Sequence, residues 1–478
     1  MRNLTMMTDL YQLTMMYGYW KENLYTHKGV FDLFYRPQGP VTAHAIAAGL
    51  EQAIDYIENI SFSDENLDYL RSLHLFDESF LTMLRSFRFT GDIDAVTEGS
   101  MVFPNEPILR VYAPMMEAQL VETALLNIIN HQTLIATKSA RVCQAAKGDD
   151  VLEFGLRRAQ GPDAGIYGAR AAIIGGCSAT SNVLTGELYG IPVKGTHAHS
   201  WVMSFPSELE AFRAYARAFP TGCLLLVDTY NTLKSGVPNA IEVFKELREQ
   251  GYDPVGIRLD SGDMSYLSKV ARQMLDDAGF PDAKIVASGD LDEEVIWDLK
   301  AQGAKIDTWG VGTKLITSQN NPALGGVYKL AAEEMHGTLI PRIKISENPI
   351  KITNPGKKKL YRIYDNNTNK ALADLLALEE EIYDPSEPLT IFDPLHTWKQ
   401  MTLTNYTMRD MLVPIFRNGK AVYQSPALLD IQAYAQQEVA SFWDEYMRLN
   451  NPQRYKVDLS KPLYDLKKEL LAQGGQQL

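Results

Sequence analysis

Cysteine is almost missing from this chain: three of 478 residues, Cys143, Cys177 and Cys223. None stands in a C-x-x-C pair, so neither a disulfide framework nor a thiolate metal site is implied, and a reducing compartment fits. Long apolar runs are missing as well. Nothing approaches the ~20 residues of a membrane span, and the opening MRNLTMMTDLYQL places Asp9 where a secretory signal needs its apolar centre. Positive charge is in deficit: 59 acidic residues against 46 basic leave a net −13, which argues against a nucleic-acid partner. Low-complexity tracts and short repeats are not seen. What remains reads as a cytoplasmic globular protein with no membrane or nucleic-acid partner, and 45% hydrophobic residues supply ample core.

The scarce basic residues are unevenly spread. Segment 341–362, PRIKISENPIKITNPGKKKLYR, carries Arg342, Lys344, Lys351, Lys357, Lys358, Lys359 and Arg362 against one acid, Glu347. A basic cluster on an acidic protein suggests a small polyanionic ligand. The run Lys357 to Lys359 reads equally well as a solvated turn, whereas Lys344 and Lys351 sit in strand-like alternation.

From 150 to 315 short apolar stretches alternate with amphipathic helical ones. VLEFGLRR, CSATSN, PVKGTHAHS, CLLLVDTYN, VGIRLDSGD, KIVASGD and DTWGVGT each precede a helical pattern or open a further unit. Alternation of this kind argues for βαβ units and a parallel sheet. The repeat favours an irregular α/β barrel, with a doubly wound open sheet as the alternative. Polar residues follow the apolar stretches: Arg157, Ser178, His199, Asp228, Asp260, Asp290 and Gly312. In a barrel those positions line the C-terminal rim, where chemistry is done. Residues 1–135 mix helical and strand-like patterns and read as a separate α+β domain, completed by 340–400. The barrel is expected over 136–339, and 400–478 reads as a mainly helical C-terminal region.

Several constellations carry chemistry. Ile285–Asp290 runs a strand into Ser288, Gly289 and Asp290. Trp309–Lys314 repeats the logic with Gly310, Gly312 and Thr313. Glycine at a strand-to-helix turn lets a phosphate approach backbone N–H groups. Asp228 and Asp260 each end an apolar stretch, where a carboxylate can bind ribose hydroxyls, hold Mg²⁺ or orient a histidine. A helix N-cap is the plainer role, and the favoured one for Asp263. KGTHAHSW holds His197 and His199, which would share one side of an extended strand. A metal pair, a core histidine, and a nucleophile or general base with its tautomer fixed by Asp228 all remain open. Phe154, Arg157 and Arg158 bring an aromatic ring and two guanidinium groups to one strand end, suited to stacking on a ring and gripping a carboxylate. Core packing is the other reading of Phe154.

Taken in order, these motifs resemble the nicotinate phosphoribosyltransferases in their bacterial form. Thr8-Asp-Leu-Tyr-Gln-Leu-Thr-Met15 is similar to the family's opening signature. Phe34-Tyr-Arg-Pro37, Glu153-Phe-Gly-Leu-Arg-Arg158, Gly195-Thr-His-Ala-His-Ser200, Val227-Asp-Thr-Tyr230, Arg258-Leu-Asp-Ser-Gly-Asp263, Ser288-Gly-Asp290 and Gly310-Val-Gly-Thr313 follow. The resemblance implies a quinolinate-phosphoribosyltransferase-like barrel and a homodimer with active sites at the subunit interface. It implies synthesis of nicotinate mononucleotide from nicotinate and phosphoribosyl pyrophosphate, with ATP and Mg²⁺. Tyr11 from the neighbouring chain and Phe154 would sandwich the pyridine ring, near Arg157, Arg258 and Ser178. Asp260 would meet the ribose. Ser288, Gly289, Asp290, Gly310, Gly312 and Thr313 would hold the 5′-phosphate. Arg36, Lys329, Lys344 and Lys351 would reach the phosphates of phosphoribosyl pyrophosphate or ATP. His199, oriented by Asp228, would be the residue that ATP phosphorylates. A nicotinamide phosphoribosyltransferase is the nearest alternative; a non-catalytic sensor of phosphoribosyl ligands is the alternative from another class.

Overall fold

The computed structural model describes residues 3–37, 43–348 and 351–475. They form two compact units, one of Met1–Leu134 with Ala323–Leu478 and the other of Ile135–Pro322.

The first unit is built on a seven-stranded sheet in the order Thr338–Pro341, Gly326–Met335, Lys28–Tyr35, Leu109–Pro114, Asp92–Ala95, Val413–Arg417, Lys420–Ala421. Its neighbours run antiparallel. Val30 to Tyr35 are all buried, as a central strand covered on both faces requires. A four-stranded sheet, ordered Tyr406–Asp410, Lys358–Asp365, Ala371–Leu378, Val457–Leu459, belongs to the same unit.

This unit corrects three expectations. Strand Gly326–Met335, assigned to the barrel that was expected to run to 339, pairs instead with Lys28–Tyr35. Residues 400–478 are not mainly helical: four strands between Gln400 and Ala421 precede the helices Leu428–Ala440 and Lys461–Gly475. The basic segment is not one cluster. Arg342 pairs with Glu333 and Lys357 with Glu379. Lys358 lies buried against Asp32 at 2.7 Å. Arg362 is wholly buried between Asp374 at 2.6 Å and Glu438 at 3.0 Å, and also donates to the Met101 carbonyl. Strand alternation points Lys358, Leu360 and Arg362 inward together, so the two charges must find buried partners. Arg362→Met would take the guanidinium from Asp374, left with the Tyr455 hydroxyl, and from Glu438, left with Arg409, and is expected to destabilise the fold by about 3–5 kcal/mol, read by urea unfolding.

The second unit is a six-stranded sheet in the order Ala179–Thr180, Asp150–Glu153, Thr308–Val311, Lys284–Ser288, Gly256–Leu259, Leu224–Leu226. Every neighbouring pair is parallel. Val151, Leu225, Ile257, Leu259, Ile285, Ala287, Trp309 and Val311 are buried, giving the apolar runs that mark such strands. Helices return the chain, and three of them are started by a side chain that satisfies a free N–H: Ser207 for Glu208–Ala218, Asp263 for Met264–Asp277, Asp292 for Glu293–Ala301. The N-cap reading of Asp263 therefore holds.

One expected strand is not there. PVKGTHAHS contributes only a single parallel bridge, Thr180↔Val193, and backbone ladders do not close the sheet into a barrel. His197 and His199 consequently share no strand face. His199 opens a short helix, His199–Met203, and His197 lies in the loop before it.

Candidate active site

At the C-terminal ends of the parallel strands, the Asp228 carboxylate is almost fully enclosed and accepts three hydrogen bonds. They come from His199 Nε2 at 3.1 Å, the Asp260 backbone N–H at 2.9 Å and the Ser261 hydroxyl at 2.7 Å. A carboxylate is acceptor-only, so His199 donates from Nε2–H, and in the neutral imidazole the lone pair then falls on Nδ1. The His199 side chain is 40% exposed while Asp228 is 2% exposed. A solvent-facing imidazole held from behind by a buried carboxylate is the geometry of an activated nucleophile or base.

Beside it, Arg258 is the hub of a second group. Nε donates to Ser288 Oγ at 2.8 Å, Nη1 to Thr196 Oγ1 at 3.0 Å, and Nη2 to Asp260 at 2.9 Å. Ser288 also donates to the same Asp260 oxygen. Burial pushes the Asp260 carboxyl up, but the Ser288 hydroxyl and the Arg258 guanidinium outweigh it and hold the group below the usual carboxylate range. The Arg258 guanidinium lies 5.7 Å from the centre of the Phe154 ring. That ring is partly exposed and rests on Gly310, where an added Cβ would come within 2.6 Å of it. Gly310 is glycine because the ring needs the space.

The two glycine turns adjoin these groups. Gly289 has φ of 91°, and a side chain there would strike the Asp260 carbonyl. Asp290, at φ of 43°, continues the left-handed turn that Gly289 begins. Asp292 then caps its helix through Val295 N–H and pairs with Lys314 at 2.7 Å, tying the 288–292 turn to the 310–314 turn. Thr313 is exposed and Gly312 partly so. An open cleft of about 520 Å³ is lined by Asp260, Ser261, Asp263, Gly289, Asp290 and Leu291 among others.

Not every candidate is gathered here. Ser178 enters the two-residue strand Ala179–Thr180 rather than leaving it. Level with Val151, whose carbonyl accepts its hydroxyl at 3.3 Å, it stands below the rim. The rim residues of that strand are Thr180, bonded to Glu153, and Asn182. Arg157 is exposed in the turn Leu156–Arg158. In the other unit, Tyr11 is half exposed and bonded to Glu122 at 3.3 Å. Arg36, Lys329 and Lys344 crowd one another there. Burial lowers the Lys329 ammonium, Lys344 and Arg36 add to that, and Glu122 opposes it. Arg36 reaches the Lys351 carbonyl at 3.4 Å, and its Nε is buried without a partner among the described residues. Ser261, Thr196, Asp292 and Lys314 escaped the sequence reading. Ser261 follows Asp260 in the chain, and that adjacency was the available signal.

His197 resolves to the plain reading. It is 8% exposed, accepts the Leu226 N–H on Nε2 at 3.2 Å, and meets Tyr215 edge-on at 4.7 Å. Burial depresses its pKa to about 4, so the ring is neutral.

The description of the nicotinate phosphoribosyltransferase family matches residues 150–375, its N-terminal domain residues 6–130 and its C-terminal domain residues 357–467. The nicotinate phosphoribosyltransferase of Bacillus subtilis (strain 168) is 50% identical over 466 residues, covering 97% of this chain and 94% of that protein. The Caenorhabditis elegans nicotinate phosphoribosyltransferase is 37% identical over 533 residues, covering 98% and 94%. The crystal structure of human nicotinic acid phosphoribosyltransferase superposes with a TM-score of 0.85 at 31% identity, covering 97% of this chain and 99% of that one.

Proposed function

This chain belongs to the nicotinate phosphoribosyltransferase family, and from that premise we propose how its strand-end cluster works. The reaction is glycosyl transfer in NAD biosynthesis: nicotinate and phosphoribosyl pyrophosphate give nicotinate mononucleotide and pyrophosphate. The finer claim is that ATP drives it through a phosphohistidine at His199. The observation that carries this claim is the Asp228 carboxylate, which fixes His199 on one side and the Asp260–Ser261 backbone and hydroxyl on the other.

In the proposed chemistry the pyridine nitrogen attacks the anomeric carbon as pyrophosphate leaves. An oxocarbenium-like transition state forms few bonds to protein, so the enzyme contributes positioning and charge. Arg258 and the Phe154 face suit a flat anionic ring: the guanidinium pairs with the carboxylate and the ring stacks. Asp260, held ionised, faces the ribose and the positive charge developing on it. The 288–290 and 312–313 turns take the 5′-phosphate. Arg36, Lys329 and Lys344, which lie near one another, and Lys351 would meet the phosphates of phosphoribosyl pyrophosphate or ATP. His199 Nδ1 takes the γ-phosphoryl of ATP, ADP departs, and water later releases phosphate. Mg²⁺ fits as a companion of the substrate phosphates, with Asp260 and Asp290 offering carboxylates at the cleft, and would neutralise the leaving pyrophosphate.

Incubation with nicotinate, phosphoribosyl pyrophosphate, Mg²⁺ and γ-labelled ATP tests the reading. A nucleotide product with label at His199 is expected; preference for nicotinamide, or nucleotide formation with no labelled protein, would overturn it. Arg258→Ala is expected to raise the nicotinate KM by at least about tenfold, and an unchanged KM would remove Arg258 from the carboxylate site. We further propose a cytoplasmic homodimer that completes each site with Tyr11 of the partner subunit, consistent with the exposed Leu10, Tyr11 and Met15 on one helix. Mixing the Tyr11→Ala and His199→Ala proteins should then restore about a quarter of wild-type ATP-coupled activity. No recovery after subunit exchange would place Tyr11 and His199 in the same chain's site.

A further inference from the structure

The second unit's sheet has two edges, formed by Ala179–Thr180 and Leu224–Leu226. On one, Val193 bridges to Thr180, and Lys194 N–H donates to the Thr180 carbonyl at 3.0 Å. On the other, Leu224–Leu226 pairs only with Gly256–Leu259. An edge strand turns alternate N–H groups away from its single neighbour, and a buried one needs an acceptor. Leu226 is such a residue, 1% exposed, and its N–H is taken by the imidazole of His197. Where a seventh strand would have supplied a carbonyl, a side chain supplies a nitrogen.

The spacing makes this more than a filled gap. His197 meets Leu226 across 29 positions, and His199 meets Asp228 across the same 29. Two residues beyond the pin on each segment lies the pair that does the chemistry. Phe212 and Tyr215 enclose the pinning ring. Thr196, just before it, is held by Arg258. The segment is therefore anchored on both sides of His197 at the level of the strand ends.

We propose that His197 is a positioning residue for phosphorylation: by accepting the Leu226 N–H it fixes the register in which His199 Nε2 meets Asp228. This rests on the phosphohistidine reading above. It needs an acceptor atom at the Nε2 position and a ring that stays neutral, and the burial already described supplies the second condition.

The test compares His197→Met, which fills the space with only a weak thioether acceptor, with His197→Gln, whose amide oxygen can reach the same N–H. In the full-length enzyme, His197→Met is expected to slow labelling of His199 from γ-labelled ATP by about a hundredfold. The KM for ATP should move by less than about threefold, since the loss lies in orientation and not in binding. His197→Gln should recover most of the rate. Full labelling in the Met variant, or equal impairment of Met and Gln variants that both melt like wild type, overturns the proposal. Nitrogen-15 spectra of histidine-labelled protein provide an arm independent of phosphorylation and of Met-variant yield. Wild type should hold the His197 proton on Nδ1 and the His199 proton on Nε2, and the Gln variant should keep the second. A His199 tautomer unchanged in folded His197→Met sinks the pin. If wild type takes no label at all, the phosphohistidine reading fails by itself, and the spectra still decide whether His197 sets the His199–Asp228 contact.

Discussion

His199→Ala is expected to abolish ATP hydrolysis and protein labelling, a loss of at least about a thousandfold, while slow nucleotide formation without ATP persists. Alanine removes the only nitrogen in the cluster that combines exposure with a free lone pair. His197 cannot take over, because its Nε2 is spent on Leu226 N–H inside the packing of Phe212 and Tyr215. Glycosyl transfer should survive in weakened form because the groups assigned to it are different ones: Arg258, Asp260, Ser288 and the 288–290 turn keep their mutual hydrogen bonds without the imidazole. Label retained in the variant would move the phosphoryl acceptor elsewhere. Complete loss of nucleotide formation with or without ATP would mean that His199 acts in the glycosyl step itself.

What the sequence could and could not disclose follows from where the information sits. Buried parallel strands must be apolar throughout, so CLLLV, VGIRL and KIVAS stood out, and so did the carboxylates that end them. The stretch at 191–199 had too little apolar content for a strand. Its closing hydrogen bond runs through a side chain, which no periodicity can announce. Ser178 was read as a polar residue ending the short stretch CSATSN, but the strand there, Ala179–Thr180, is only two residues long and begins after it. The lysine run read equally well as a solvated turn because the partner that buries Lys358 is remote. Asp32, for Lys358, lies over three hundred residues earlier in the chain, and only the fold brings it near. The strand at 326–335 was likewise credited to the barrel because its partner, Lys28–Tyr35, is equally distant. Local chemistry was legible; long-range pairing was not.

That distinction matters most at Asp228, a single carboxylate serving two segments of chain. Asp228→Asn keeps the shape and removes one acceptor oxygen. In the wild type Oδ1 takes His199 Nε2–H, and Oδ2 takes both Asp260 N–H and Ser261 O–H. An asparagine must point its NH₂ group one way or the other. Aimed at Asp260, it faces a backbone N–H that cannot rotate to accept, and a buried donor is left unpaired. Aimed at His199, it meets Nε2–H head on, so the imidazole must shift its proton to Nδ1 and surrender the lone pair that attacks phosphorus. The second arrangement is the cheaper, since a tautomer changes more readily than a backbone. Asp228→Asn is therefore expected to slow His199 phosphorylation by about 10³- to 10⁴-fold, the scale on which a misplaced histidine proton acts in hydrolases. The thermal midpoint should stay nearly unchanged, and the nicotinate KM should move little, because the Arg258–Ser288 contact is untouched. Rapid-quench labelling with γ-labelled ATP reads the rate directly. Labelling within tenfold of wild type would show that Asp228 does not set the tautomer, and a collapse in stability would show that its role is to hold the strand ends together.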